Sequence, residues 1–515
     1  MSSYRHSVAD LFREIVKTHA DRTALAWSQD EVVTFAELDE LSNRMALFLR
    51  MQGVRKGDRV GIRLDKLTVT YSLMVACLKI GAPYFVLDPS NPPARAAQII
   101  AKCLPKVVFS AKELPLELPD YQVVLIDREN QFAVLDSVGA GALAPEAAIV
   151  GTDAAYIMFT SGSTGFPKGA VISHANLLNF IPWAQGEFSV SADDVFTNVN
   201  PLYFDNSVFD FYASIMNGAS LVPFDAATMK DPYGVLQRID EMKCTIYFSV
   251  PSLLLYFQTL KLITTASFPS VRTIIFGGEG YPKTRLKEFF ACLHPRAQLV
   301  NVYGPTECTC ICSAYRVTEV DFENLDGYPP LGGPIANFSF TVLNDRNEAV
   351  LPGEHGELCL GGPCVGLGYF NDEDLTQKAF QQNPLNQKYQ EQIYRTGDLV
   401  FSSKDDDKIY FVGRKDSQIK HQGYRIELGE VEHALCRIPG VDEAAAIHSA
   451  GDGISQIIAI VASRNGISSA EVRGQLSNSL PPYMVPARVD VVDRLPRNAN
   501  GKIDRNLIKT QHCHG

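Results

Sequence analysis

Thr160-Ser161-Gly162-Ser163-Thr164-Gly165-Phe166-Pro167-Lys168-Gly169 follows the apolar run Tyr156-Ile157-Met158-Phe159 and precedes His174-Ala175-Asn176-Leu177. The apolar run reads as a strand and the segment after the loop as a helix. Glycines let a polyanion approach the backbone without Cβ clashes, and Thr160, Ser161, Ser163 and Thr164 add hydroxyls and exposed N–H groups suited to phosphate oxygens. The spacing is not that of a Walker loop. Pro167 stands where the second glycine would fall, and Lys168 is followed by Gly169 instead of Ser or Thr. Taken alone, such a stretch could equally be a surface turn of small polar residues.

Outward from this loop the chain alternates helical and strand periods. Leu38 to Leu49 and Ser72 to Leu78 read as helices; Asp58 to Leu64, Tyr84 to Leu87, Lys106 to Phe109, Gln122 to Ile126 and Ser220 to Pro223 read as strands. Val171 to Trp183 and Pro232 to Met242 are further expected helices. Repeated αβ units predict an α/β fold with layered, largely parallel sheets. Val400-Phe401 and Ile409 to Val412 flank a solvated hairpin turn at Ser402 to Lys408. After Gly413-Arg414-Lys415-Asp416 comes a shorter unit with a helix at Leu428 to Arg437 and strands at Ala444 to His448 and Ile457 to Val461. The expected organisation is a large N-terminal domain, residues 1–415, and a small mobile C-terminal α+β domain, residues 416–515.

A chain of 515 residues is too long for one ordinary core. Its net charge of −11 argues against a nucleic-acid-binding surface. No apolar run approaches the ~20 residues of a membrane span. Val8, Leu11, Phe12, Ile15 and Val16 make an amphipathic helix, not a signal peptide. Eleven cysteines without a secretory signal read as reduced thiols in a cytoplasmic protein. Cys308, Cys310 and Cys312 lack the C-x-x-C spacing of a zinc site.

The loop resembles the signature loop of the adenylate-forming enzymes, the superfamily of nonribosomal peptide synthetase adenylation domains, acyl-CoA synthetases and luciferases. The match runs in order through the chain, from Val33-Thr34-Phe35-Ala36-Glu37-Leu38 to Asn500-Gly501-Lys502-Ile503-Asp504-Arg505. The resemblance implies two half-reactions. A carboxylate attacks the α-phosphorus of ATP and expels pyrophosphate; a thiol then attacks the acyl adenylate and releases AMP. It makes Lys502 the catalytic lysine between the carboxylate and the α-phosphate. It places ATP against Thr160, Ser161, Gly162, Ser163, Thr164, Gly165, Lys168, Gly278, Glu279, Gly280, Asn301, Tyr303, Gly304, Thr306, Asp398, Arg414 and Lys502. Tyr303 would stack on adenine, Asp398 would take the ribose hydroxyls, and Glu307 would hold Mg²⁺, a hard ion suited to a carboxylate and phosphates.

Asp205, in Phe204-Asp205-Asn206-Ser207, matches the aspartate that holds the α-ammonium in amino-acid-activating members. The side-chain pocket carried over by resemblance comprises Asp205, Asn206, Phe209, Ser252, Ile275, Gly277, Val302, Cys310 and Ile311. Segments around Asp205 and Arg414 are similar to the D-alanine:carrier-protein ligases. Those ligases carry cysteine at the position of Gly277, so the glycine is expected to leave room for a larger side chain. Asp416 matches the family's hinge, and Gly423 its thiol tunnel. With no carrier domain after Lys502, the expected acceptor is a separate phosphopantetheinyl carrier protein, for which Lys415, Lys420, His421 and Arg425 are candidate docking cations. The leading expectation is a stand-alone amino-acid adenylating ligase. The alternatives are a D-alanine:carrier-protein ligase, an acyl- or aryl-CoA synthetase, and a non-catalytic nucleotide-binding regulator.

Overall fold

β-Branched Val171 and Ile172 prolong a strand instead of opening a helix, because their stiff side chains suit the pleated sheet. The expected helix from Val171 is therefore corrected. The strand runs Lys168–Ser173, and the helix His174–Glu187 begins after Ser173, whose hydroxyl accepts from the Asn176 N–H while Asn176 reaches back in a capping box. The computed structural model describes residues 5–114, 121–136, 138–139, 149–162, 166–404, 406, 408–451, 454–463, 466–497 and 503–512.

Two layered sheets carry the large domain. One orders the strands Gly368–Tyr369, Lys168–Ser173, Ala154–Thr160, Tyr84–Val86, Val60–Arg63, Val107–Ser110 and Gln122–Leu125. The other has a parallel centre formed by Gln298–Tyr303, Thr273–Gly277, Ile246–Ser249, Val195–Asn198 and Ser220–Pro223. Near-continuous apolar runs such as Ile274-Ile275-Phe276 are what strands covered on both faces require. A third, antiparallel sheet joins Ser339–Leu343, His355–Gly361, Gln392–Ser402 and Ile409–Arg414.

The glycine-rich loop links two antiparallel strands whose last pair is Thr160 with Lys168. That register holds the ends of the loop together at the edge of the cavity described below. Gln298–Tyr303 ends beside it and hands the chain to a turn of 3-10 helix at Thr306–Cys308.

The C-terminal region has its own core of Ile426, Leu428, Val431, Leu435, Ile457, Ala459, Val461, Val472, Leu476 and Met484. It consists of the hairpin Gln418–His421 with Tyr424–Glu427, the helices Leu428–Cys436 and Ser469–Leu476, and the sheet Glu443–Gly451, Ile454–Ala462 and Arg488–Val492. The hairpin tip points into the large domain. Its left-handed turn uses Gln422 and Gly423, with φ of 52° and 85°. Glycine at the second position avoids the Cβ clash of that conformation.

His174 shows how the helix behind the loop is anchored. Its ring is fully buried, and Nδ1 accepts the Val8 N–H at 3.2 Å. Burial pulls its pKa down to about 4, so the folded state keeps it neutral. The associated stability is fully present above the unfolded pKa of about 6.5 and is lost as pH falls toward 4. Urea unfolding should show a loss of about 2 kcal/mol between pH 7 and pH 5 that is absent from His174→Gln.

Candidate active site

A cavity of about 980 Å³ lies between the sheets and under the small-domain hairpin. Asp205, Asn206, Ser252, Gly278, Tyr303 and Gly304 line it, as do Thr306, Asp398, Arg414 and Gly423. The Thr160 hydroxyl is buried at its edge and has no partner among the described residues. An unfilled donor at the start of a glycine-rich loop fits a phosphate oxygen. Ser163, Thr164, Gly165 and Lys502 lie outside the described residues.

Asp398 is already doubly bound. The Tyr303 hydroxyl donates to Oδ2 at 2.6 Å, and Arg414 Nη1 lies 2.5 Å from Oδ1. Arg414 also pairs with Asp416, at 2.7 Å through both Nε and Nη2. The expected ribose acceptor thus stands in a network that reaches the expected hinge. Tyr303 is buried in the end of its strand, and the Lys420 ammonium sits 5.7 Å from its ring centroid.

Asp205 accepts the Thr306 hydroxyl at 2.5 Å. Burial pushes the Asp205 carboxyl above the usual carboxylate range, against the Thr306 hydrogen bond and the nearby Arg425 charge. A carboxylate so placed gains from a cation brought by a ligand.

Glu307 is fully enclosed. Burial would raise its pKa, but Arg425 and Lys168 outweigh that and hold it at about 2. Arg425 Nη1 lies 2.7 Å from Oε2, the Tyr369 hydroxyl donates to Oε1 at 2.6 Å, and Lys168 is 3.8 Å from Oε1. Both oxygens are engaged, and in this disposition of the small domain Arg425 stands on the carboxylate expected to hold Mg²⁺.

Other expected residues have structural partners. Glu279 accepts the Ser252 N–H at 3.1 Å and the Gly423 N–H at 2.6 Å. Asn301 spends its amide on the Pro330 carbonyl, 2.8 Å away, and does not line the cavity. A Cβ on Gly280 would stand 2.5 Å from the Tyr328 ring, and one on Gly304 would stand 2.1 Å from the Cys310 carbonyl. These glycines permit close approach. Of the expected side-chain pocket, only Asp205, Asn206 and Ser252 line the cavity; Phe209, Ile275, Val302, Cys310 and Ile311 are buried behind it.

Two expectations need correction. A Cβ at Gly277 would meet the Val302 carbonyl oxygen at 2.4 Å and Val302 Cγ2 at 2.6 Å, so the space next to this glycine is filled by the neighbouring strand. It does not enlarge a side-chain pocket. Nor do the expected docking cations form one surface patch, for of the four only Lys415 is exposed. Lys415 pairs with Asp345 at 2.7 Å, Lys420 lies over Tyr303, His421 is buried against Ser455, and Arg425 pairs with Glu307.

Sequence reasoning missed the contacts between loop and small domain. Ser161 donates to the Arg425 carbonyl at 2.6 Å and accepts from the Glu427 N–H at 3.0 Å. Tyr424 packs edge-on against Phe204, with centroids 4.6 Å apart, and stacks on Tyr483. The partners of Ser161 and Phe204 lie more than 200 positions away along the chain and leave no periodic signal. The motif Pro481-Pro482-Tyr483-Met484 was visible without its role.

Residues 12–370 match the family described as AMP-binding enzyme, and residues 430–502 match the AMP-binding enzyme C-terminal domain. The chain belongs to the AMP-binding enzyme family. Within it, the chain is 34% identical to an L-proline--[L-prolyl-carrier protein] ligase of Streptomyces coelicolor, over 98% of this chain and 96% of that protein. It is also 34% identical to surfactin synthase subunit 3 of Bacillus subtilis over 96% of its own length, but spans only 38% of that relative. The fold matches an artificially fused adenylation-PCP di-domain, NpsA-ThdA from Klebsiella oxytoca, with a TM-score of 0.83 at 23% identity, covering 95% of this chain and 94% of that one.

Gly277→Ala should lower stability by about 1–3 kcal/mol through the clash with Val302. Thermal denaturation checks this; an unchanged melting temperature would restore the volume reading.

Proposed function

We propose that this protein activates an α-amino acid with ATP, forming an aminoacyl adenylate and pyrophosphate, and then transfers the aminoacyl group to the phosphopantetheine thiol of a carrier protein. The observation that carries the reading is the convergence on one cavity of Asp205, the Asp398 network and the glycine-rich loop, with the Gly423 tip inserted beside them. The full-length similarity to a prolyl-carrier protein ligase supports the two-step activity.

In the first half-reaction Asp205 holds the substrate ammonium, and the glycine-rich loop holds the phosphates with Thr160, Ser161 and backbone N–H groups. Lys502 places its charge between the carboxylate oxygen and the α-phosphorus, where negative charge gathers as the bond to pyrophosphate breaks. Glu307 is the residue that would hold a divalent cation in this half, once Arg425 is withdrawn, and the ion would supply positive charge beside the phosphates. Asp416 is the hinge between domains 1–415 and 416–515.

The arrangement described here suits the second half. Glu307 is neutralised by Arg425, and Ser161 is bound to the hairpin backbone. Gly423 lies 3.0 Å, as measured from a Cβ built on it, from Val250. A side chain there would press on Val250, so glycine keeps the hairpin tip bare where it borders the cavity, and Gly423 is the residue that lines the thiol's route to the carbonyl. Attack forms the thioester C–S bond and breaks the acyl–phosphate C–O bond, and AMP leaves with the electron pair.

Amino-acid-dependent exchange of labelled pyrophosphate into ATP, across L- and D-amino acids with aliphatic and aryl acids as controls, tests the first half. One amino acid should dominate, and exchange only with simple acids would overturn the role of Asp205. Asp205→Asn should reduce exchange by about a hundredfold or more, since the ammonium then lacks its counter-charge. Lys502→Ala should lower kcat about a hundredfold with a small change in amino-acid KM, as for loss of a transition-state contact.

A further inference from the structure

The helix Pro93–Cys103 of the large domain and the helix Leu428–Cys436 of the small domain each put one charged residue into the boundary between them. Arg95 Nη1 donates to Glu430 Oε1, and the side chains are 8% and 2% exposed. The other carboxylate oxygen, Oε2, accepts the Gly162 N–H at 3.3 Å. Glu430 therefore joins an arginine and the glycine-rich loop, both in the large domain, while itself belonging to the small domain. It lies in the first turn of its helix, where the backbone dipole also favours a carboxylate.

We propose that Arg95 and Glu430 are positioning residues for thiol transfer, forming a latch that holds the small domain over the adenylate once the loop has released its anion. This rests on the two-step reading above. The latch uses the Gly162 N–H, a donor of the loop that binds phosphates. One N–H cannot point at a pyrophosphate oxygen and at Glu430 together, so the latch closes when pyrophosphate has gone. Neighbouring contacts act in the same sense: Ser161 is bound by the hairpin backbone and Glu307 by Arg425. Removing either partner of the pair leaves the other as a buried charge without its counter-charge, which disfavours this orientation. The orientation that forms the adenylate does not contain the pair and is left intact.

The test compares the wild type with Glu430→Gln, Arg95→Met and the double variant in two assays. One is pyrophosphate exchange with the amino acid that the panel identifies. The other is thioester formation on pantetheine from ATP and that amino acid. Each single variant should keep exchange within about twofold and lose thioester formation tenfold or more. The double variant should be no worse than the poorer single, because two residues acting as one pair are non-additive. Equal losses in both assays would mean a merely structural role and overturn the latch. So would multiplicative losses in the double variant, or unimpaired thioester formation in both singles. A wild type that exchanges pyrophosphate but forms no thioester would overturn the thiol-transfer reading itself.

Discussion

An ionised carboxylate with no exposure to water must be matched where it stands, and Glu307 imposes that requirement on much of the molecule. Its partners come from separate parts of the chain: Lys168 from the end of the glycine-rich loop, Tyr369 from the edge strand paired with Lys168–Ser173, and Arg425 from the small-domain hairpin. Satisfying one side chain therefore fixes the loop, the sheet edge and the position of a second domain. The same groups suit a different charge balance. On the proposed reading, a metal held by Glu307 would take the place that Arg425 occupies here.

The contacts between the loop and the second domain draw on a limited set of groups. Ser161, Gly162 and Glu307 are all committed to the hairpin or to the helix after it. The groups that hold the small domain here are the ones proposed above to hold phosphate in the first half-reaction. On the proposed reading, occupancy of the loop would itself decide which surface the small domain can meet. Asp398, Arg414 and Asp416 form a chain of ion pairs that runs out from the cavity.

Local chemistry was legible where it depends on neighbours in sequence. The strand before the glycine-rich loop follows from side-chain type and spacing, whereas the capping box at Ser173 and the hairpin around Gly423 emerged only in the fold. Asp205 and Thr306 were both singled out, and the fold brings them to 2.5 Å. Gly277 was misread because a missing side chain looks like space until the neighbouring strand is in place. Arg425 and Lys420 were misread as surface cations, since a charge pattern does not tell which face of a hairpin turns inward. The Arg95–Glu430 pair, 335 positions apart, was invisible.

The amino-acid sequence by itself determined the alternation of helix and strand, the phosphate-type loop and the family, because these rest on short-range propensity and on motifs a few residues long. Only the tertiary structure decided which charges neutralise one another, which glycines serve close packing, and which face of the small domain meets the loop. Those outcomes depend on buried electrostatics and on contacts between residues hundreds of positions apart, which exist only once the sheets have stacked and the second domain has docked.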